Sequence, residues 1–230
     1  MAETIIHALV LRRAEYGESD RMVTLFTKER GRIDAIARGC RRPRSPLMNC
    51  AEPFTCGEYR IFELKGRASI TQCAITDSFY GLRSDYDRLK EGAGWLKLLE
   101  LIATPEEPAP DIFDLSLIAL AYLENSILSP KLLGAMFKMR LMLLAGFYPS
   151  VSACAVCGKS LENVPTAFSP SKGGCVCQGC APGARRISEG ARRVLLKAPR
   201  RPFNAVEKLS ESPDWPEAAA RLEEFLAYSF

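Results

Sequence analysis

Two matched cysteine pairs constrain this chain more than any other feature. Cys154-Ala-Val-Cys157 is followed, after 19 residues, by Cys177-Gln-Gly-Cys180. Two cysteines separated by two residues in a tight turn can place both sulfurs on one ion, and two such turns close a tetrahedron with zinc–sulfur distances of about 2.3 Å. Gly158 and Gly179 supply the backbone freedom that such turns need. Four thiolates leave no position for water, which favours a structural ion over a catalytic one. The expectation is one structural zinc per chain on Cys154, Cys157, Cys177 and Cys180. Cys175 leaves the third ligand open, because its four-residue gap to Cys180 is also usable. Five of the nine cysteines lie between residues 154 and 180. That clustering, with thiols kept reduced inside cells, points to metal rather than to a disulfide framework.

The rest of the chain divides by hydrophobic period. Thr4–Leu11, Met22–Thr27, Gly31–Arg38, Cys56–Leu64 and Ala68–Thr76 are alternating or β-branched runs, separated by Gly17, Gly31, Gly39, Pro43, Pro46, Pro53 and Gly66. Five strands in this span fit a small barrel, and the oligonucleotide-binding (OB) barrel is the five-stranded candidate. From about residue 78 the period changes to 3.6. Leu89–Ala103, Asp111–Leu128, Pro130–Ala145 and Asp214–Phe230 read as helices, the middle two apolar enough to be buried. The expected fold class is therefore α+β and multidomain. An OB-type barrel takes residues 1–80 and a helical domain takes 81–230, with a four-cysteine zinc module inserted at about 150–182. No apolar run is long enough to cross a membrane, and Met1-Ala2-Glu3-Thr4 lacks the layout of a secretory signal, so a soluble cytoplasmic protein is expected.

The net charge of +4 matters only once it is localised. Residues 28–44 hold seven basic and two acidic groups, and residues 185–201 hold seven basic and one acidic. Such clusters suit polyanions. The first supplies Lys28, Arg30, Arg32, Arg38, Arg41, Arg42 and Arg44 as candidate DNA contacts. Arg32 and Arg38 share a strand face, and the last three extend into a Pro-rich loop. Tyr16, Phe26, Phe54 and Tyr59 are either base-stacking partners or core aromatics. The second cluster holds Arg185, Arg186, Arg192, Arg193, Lys197, Arg200 and Arg201, following the cysteine pairs. Ser188 is placed to cap a short helix through Leu196, from which Arg192 and Arg193 are the candidate contacts. Either cluster is alternatively a solvated face.

Catalytic machinery is not evident. The single histidine, His7, sits inside the first strand without the H-x-E of a zinc deaminase, and no Walker loop, G-x-S-x-G or G-x-G-x-x-G occurs. The chain reads as a binding protein rather than an enzyme.

The order of parts resembles the RecO family of bacterial DNA repair and recombination mediators over essentially the whole length. The resemblance rests on Ala8–Leu11 followed by Tyr16-Gly-Glu-Ser-Asp-Arg21, on Leu25-Phe-Thr27 leading to Gly31, and on Ala37-Arg-Gly39. The Arg41-Arg-Pro-Arg-Ser45 loop and Pro53-Phe54 follow. Then Arg140–Pro149 leads into Cys154-x-x-Cys157, and Phe168-Ser169 and Gly173-Gly174 precede the second pair. It implies an OB barrel, a helical domain and, in many members, a zinc module. It further implies binding of single- and double-stranded DNA, annealing of complementary strands and, with RecR and often RecF, loading of RecA onto gapped DNA coated by single-strand-binding protein (SSB). A nucleoid-associated place in the cytoplasm goes with that role. Some members hold the acidic C-terminal tail of SSB, for which Lys138 and Arg140 are candidates here, matched to no family motif. Cys175 departs from the pattern as an extra thiol. A zinc-ribbon adaptor for protein–protein contact and a hydrolase or nuclease with an unrecognised carboxylate site are the rival readings.

Overall fold

Strand alternation produces the first half of the structure, a computed structural model that describes residues 2–229. β1 (Ala2–Tyr16), β2 (Asp20–Thr27), β3 (Gly31–Ala37), β4 (Cys56–Leu64) and β5 (Arg67–Asp77) close into a barrel in the order β1-β2-β3-β5-β4. Every neighbouring pair is antiparallel except β3 and β5, which run parallel over a short stretch, Ala35–Ala37 against Ala68–Ile70. Ile6, Ala8, Val10, Val23, Leu25, Ile33, Ala35, Ala37, Tyr59, Ile61 and Ile70 fill the interior. Most are β-branched or aromatic residues, which pack well on a pleated surface. This is the OB-type barrel expected.

β1 is longer than its apolar stretch suggests. It continues through Arg12, Arg13, Ala14 and Glu15 to Tyr16, which pairs with Asp20 at the tip of the β1–β2 hairpin. On its other face Leu9 and Leu11 are also buried, because α1 (Tyr86–Ile102) packs on β1. Asp85 caps α1 by accepting from the amides of Asp87 and Arg88. α2 (Pro110–Asn125) starts with proline at its first turn. Between the two helices the chain runs against Gly31, where the Arg32 amide donates to the Thr104 carbonyl at 3.1 Å. Gly31 has φ +64°, and a Cβ there would overlap the carbonyl oxygens of Thr104 and Glu107. Only glycine fits.

The chain separates into two compact units between Ser126 and Ile127. The first therefore continues past the end of β5, the neighbourhood of the expected boundary at residue 80, to include α1 and α2. The second unit contains α3 (Pro130–Leu144), β6 (Thr166–Ser169), β7 (Gly174–Cys177), β8 (Arg185–Arg186), α4 (Glu189–Lys197), α5 (Val206–Ser210) and α6 (Trp215–Ser229). α3 is buried almost all round, with Leu132, Leu133, Ala135, Met136, Phe137, Met139, Leu141 and Met142 in the core. α6 contributes Trp215, Ala218, Leu222 and Phe225, and the Phe225 ring meets Phe168 edge-on at 6.4 Å. β7, β6 and β8 form a small sheet in that order. No helix among the described residues is long and apolar enough to cross a membrane.

Candidate nucleic-acid interface and metal centre

The segment from Gly39 to Ala51 turns its apolar and basic residues in opposite directions. Cys40, Leu47, Cys50 and Ala51 enter the barrel core, while Arg38, Arg41, Arg42 and Arg44 are exposed. The loop is held at several points. The Gly39 amide donates to Asp20 Oδ1 at 2.7 Å, the Arg41 amide to the Ser19 carbonyl at 3.0 Å, and the buried Tyr59 hydroxyl to the Cys50 carbonyl at 2.9 Å. The Gly39 amide keeps the Asp20 carboxyl below its usual range, with Ser19 and the charges of Arg38 and Arg42 adding to it. Arg41 reaches Glu15 at 3.3 Å. Four guanidinium groups thus face two carboxylates, leaving an excess of positive charge beside the exposed ring of Tyr16.

The other three candidates from this segment sit at the opposite end of β3, beside the β2–β3 turn, and are engaged within the unit. Lys28 pairs with Asp114 at 2.9 Å. Arg30 bridges Glu63 and Glu106, both at 2.7 Å, and those carboxylates, Glu106 foremost, push its pKa further up. Arg32 donates to the Glu100 carbonyl at 2.8 Å. The aromatics divide likewise. Phe26, Phe54 and Tyr59 are buried in the core, so of the four only Tyr16 is placed to meet a base.

In the second unit, Arg192 is 5% exposed. Its guanidinium takes Glu189 bidentately at 2.9 Å and donates to the Val151 carbonyl at 2.8 Å, fastening α4 to the segment before the first cysteine pair. It is a structural residue. Arg193 is exposed and pairs with Glu189 at 3.0 Å. Arg186, Lys197, Arg200 and Arg201 are exposed, and exposed Arg185 pairs with Glu224 at 3.1 Å. Ser188 caps α4 as its sequence position implies, accepting from the Ala191 amide. Lys138 pairs with Glu223 at 2.8 Å. Arg140 stacks over the Phe203 ring at 5.3 Å, and burial lowers its pKa.

The sulfurs of Cys154, Cys157, Cys177 and Cys180 lie within 4.8 Å of one another and could hold a metal ion. Each pair sits in a tight turn. The Gly158 amide donates to the Cys154 carbonyl at 2.9 Å, with Gly158 at φ +72°, and the Cys180 amide donates to the Cys177 carbonyl at 3.0 Å. The Ala155 amide bonds to the Cys175 carbonyl at 2.9 Å, tying the first turn to β7. Amides of Cys157 and Cys177 hold the Cys154 thiol down to about 6, favouring the thiolate that binds metal. Cys180 is pushed up to about 12 by hydrogen bonds with the thiols of Cys177 and Cys157. The Cys157–Cys177 sulfur separation is 3.8 Å; a tetrahedron with zinc–sulfur bonds of about 2.3 Å has edges of about 3.8 Å. Cys175 is fully buried outside the cluster, and burial pushes its thiol up to about 12.

Residues 1–79 match the family model described as "Recombination protein O N terminal", and residues 83–229 match "Recombination protein O C terminal". The chain belongs to the RecO family. "DNA repair protein RecO" of Desulfitobacterium hafniense is 36% identical over 195 residues, covering 83% of this chain and 71% of that protein. The protein of the same description from Acetivibrio thermocellus is 33% identical over 190 residues, 81% of this chain and 75% of its own. That from Anaeromyxobacter dehalogenans is 34% identical over 194 residues, 82% and 76% of the two chains. This RecO-family chain thus pairs an OB-type barrel carrying an arginine loop with a four-cysteine cluster in its second unit.

Proposed function

We propose that this chain is a DNA repair and recombination mediator that binds single- and double-stranded DNA and works without bond-making chemistry of its own. The observation that carries the reading is the loop of Arg38, Arg41, Arg42 and Arg44, anchored in the barrel core yet presenting its charge outward. Two nucleic-acid strands repel each other, and a surface that neutralises phosphates of both raises their encounter rate. Annealing of complementary strands follows from that electrostatics alone. The family resemblance implies partners for that role: RecR, with RecF, in loading RecA onto DNA coated by SSB. Arg193 joins the loop as a lesser contact, while Lys28, Arg30, Arg32 and Arg192 serve the fold. Cys154, Cys157, Cys177 and Cys180 would hold one zinc per chain. Four sulfur ligands would leave it no open position and so give it a structural task, tying the turn at Cys154 to Cys157 and the turn at Cys177 to Cys180 together.

The test is annealing of complementary oligonucleotides coated with SSB, with and without RecR. Faster pairing than in the protein's absence, with no strand cleavage in the presence of magnesium, is the expected result. Strands that stay apart at low salt would overturn the mediator reading, and cleavage products would revive the nuclease. A zinc-ribbon adaptor would retain RecR yet leave the strands unpaired.

A further inference from the structure

Tyr16 and the arginine loop share one face of the β1–β2 hairpin. Tyr16 pairs with Asp20 at the hairpin's end, and residues directly opposite in an antiparallel pair point to the same side, their Cβ atoms about 5 Å apart. On that side the Asp20 carboxylate accepts from the Gly39 amide at 2.7 Å and feels the charges of Arg38 and Arg42. A Cβ on Gly39 would meet the Arg42 side chain at 3.5 Å, so Arg42 lies over the same turn. Tyr16 itself is 45% exposed. Among the described residues no aromatic ring or guanidinium stacks on it.

Charge alone gives such a site the wrong preference for a protein that pairs strands. Each neutralised phosphate contributes about 0.9 to the salt slope on duplex but about 0.7 on a single strand. Across the guanidinium groups of Arg38, Arg41, Arg42 and Arg44 that difference favours duplex by about sixfold at about 0.1 M salt. Arginines by themselves would cling to the annealed product. Stacking of one base on an aromatic ring strengthens binding by about 5- to 150-fold, which outweighs the electrostatic bias over nearly all of its range. Only an unpaired base has a face free to stack. Resting on the DNA-binding role proposed above, we propose that Tyr16 stacks on an unpaired base beside the phosphates held by the loop and turns the preference toward single strands. When that base finds its complement it rejoins a helical stack and leaves the ring, and the protein lets go of the duplex. Tyr16 thereby sets which form of DNA the loop retains.

Fluorescence anisotropy at about 0.1 M salt tests this with three labelled probes: a single strand, its blunt duplex, and the same strand carrying consecutive abasic sites, which keep the phosphates and remove the bases. Wild-type protein binds the single strand more tightly than the duplex, and at least about fivefold more tightly than the abasic strand. Tyr16→Ala weakens single-strand binding at least about fivefold and leaves duplex and abasic strand within about twofold, so the order of single strand and duplex reverses. Its salt slope stays that of wild type, because no phosphate contact is lost. Tyr16→Phe keeps the ring and behaves as wild type. A wild-type chain that prefers duplex, or that holds abasic and normal strands equally, overturns the role of Tyr16 while DNA binding stands. So does a Tyr16→Ala chain that loses nothing on the single strand or loses equally on all three probes. Wild-type protein that binds none of the probes sinks the mediator reading itself, and the role of Tyr16 with it.

Discussion

Replacing Arg41, Arg42 and Arg44 together by Ala tests whether exposure and charge at the barrel loop translate into DNA affinity. For single strands each neutralised phosphate contributes about −0.7 to the slope of log K against log salt. Three lost contacts flatten the slope by about 2 units, and at about 0.1 M salt weaken binding by about 100-fold. Glu15 already shares Arg41 at 3.3 Å; with Arg41 wholly withheld from phosphate, two contacts remain and the change falls to about 1.4 units. The comparison variant replaces Lys28, Arg30 and Arg32, which carry the same formal charge but face Asp114, Glu63, Glu106 and the Glu100 carbonyl. It lowers the melting temperature and leaves the slope within about 0.5 unit. Fluorescence anisotropy of a labelled oligonucleotide over a salt series measures both. Equal slopes for the loop variant and the wild type would refute the reasoning, as would equal losses for the two triple variants.

Arg192→Met leaves the salt slope of DNA binding unchanged but destabilises the second unit by about 2 kcal/mol, because the Val151 carbonyl loses a buried donor; chemical denaturation monitored through Trp215 reads this. Cys154→Ala, or treatment with a strong chelator, removes zinc and abolishes cooperative unfolding of the second unit, with about 10 kcal/mol of metal-linked folding energy at stake; one zinc per chain by elemental analysis of untreated protein is required. Hydrogen bonds lower Glu189, chiefly from Arg192, and Glu217, chiefly from Ser188. Their stabilisation is present above the ordinary value of 4.5 and is lost as pH falls through their lower folded values, so an acid titration loosens α4 and α6 only below about pH 4.5. Gly31→Ala combines a positive φ with the overlap on Thr104 and Glu107 and lowers barrel stability by about 2 kcal/mol, visible as a fall in melting temperature.

The barrel is legible in the sequence because its strands carry their inward residues at period two. Cys56–Leu64 matches the observed β4 residue for residue, and the other strands differ mainly at their ends. The extension of β1 past Leu11 is not legible. There the strand has parted from β4 but stays paired with β2, and Arg12, Arg13 and Glu15 carry no apolar alternation to betray it. β6, β7 and β8 are four, four and two residues long, too short for a period to register. The cysteine pairs announce the cluster, and the fold places Cys177 in it and leaves Cys175 outside. What sequence does not sort is available charge from engaged charge. The partners of Lys28 and Arg30 lie 86 and 76 residues away in the chain, so composition counts every cation in residues 28–44 alike. Burial of Arg192 is hidden for the same reason, since the carbonyl it reaches precedes it by 41 residues.

The loop between Gly39 and Ala51 has a consequence for how affinity can be adjusted. Its backbone is already immobilised by Asp20, Ser19, Tyr59 and four side chains in the barrel interior, so ligand capture orders little more than the outer ends of the arginines. A preorganised binding element forfeits less entropy on association than a floppy one. Exchanging its outward side chains therefore retunes grip strength without disturbing the scaffold, whereas a change at Leu47 or Cys50 would alter barrel integrity and DNA capture together.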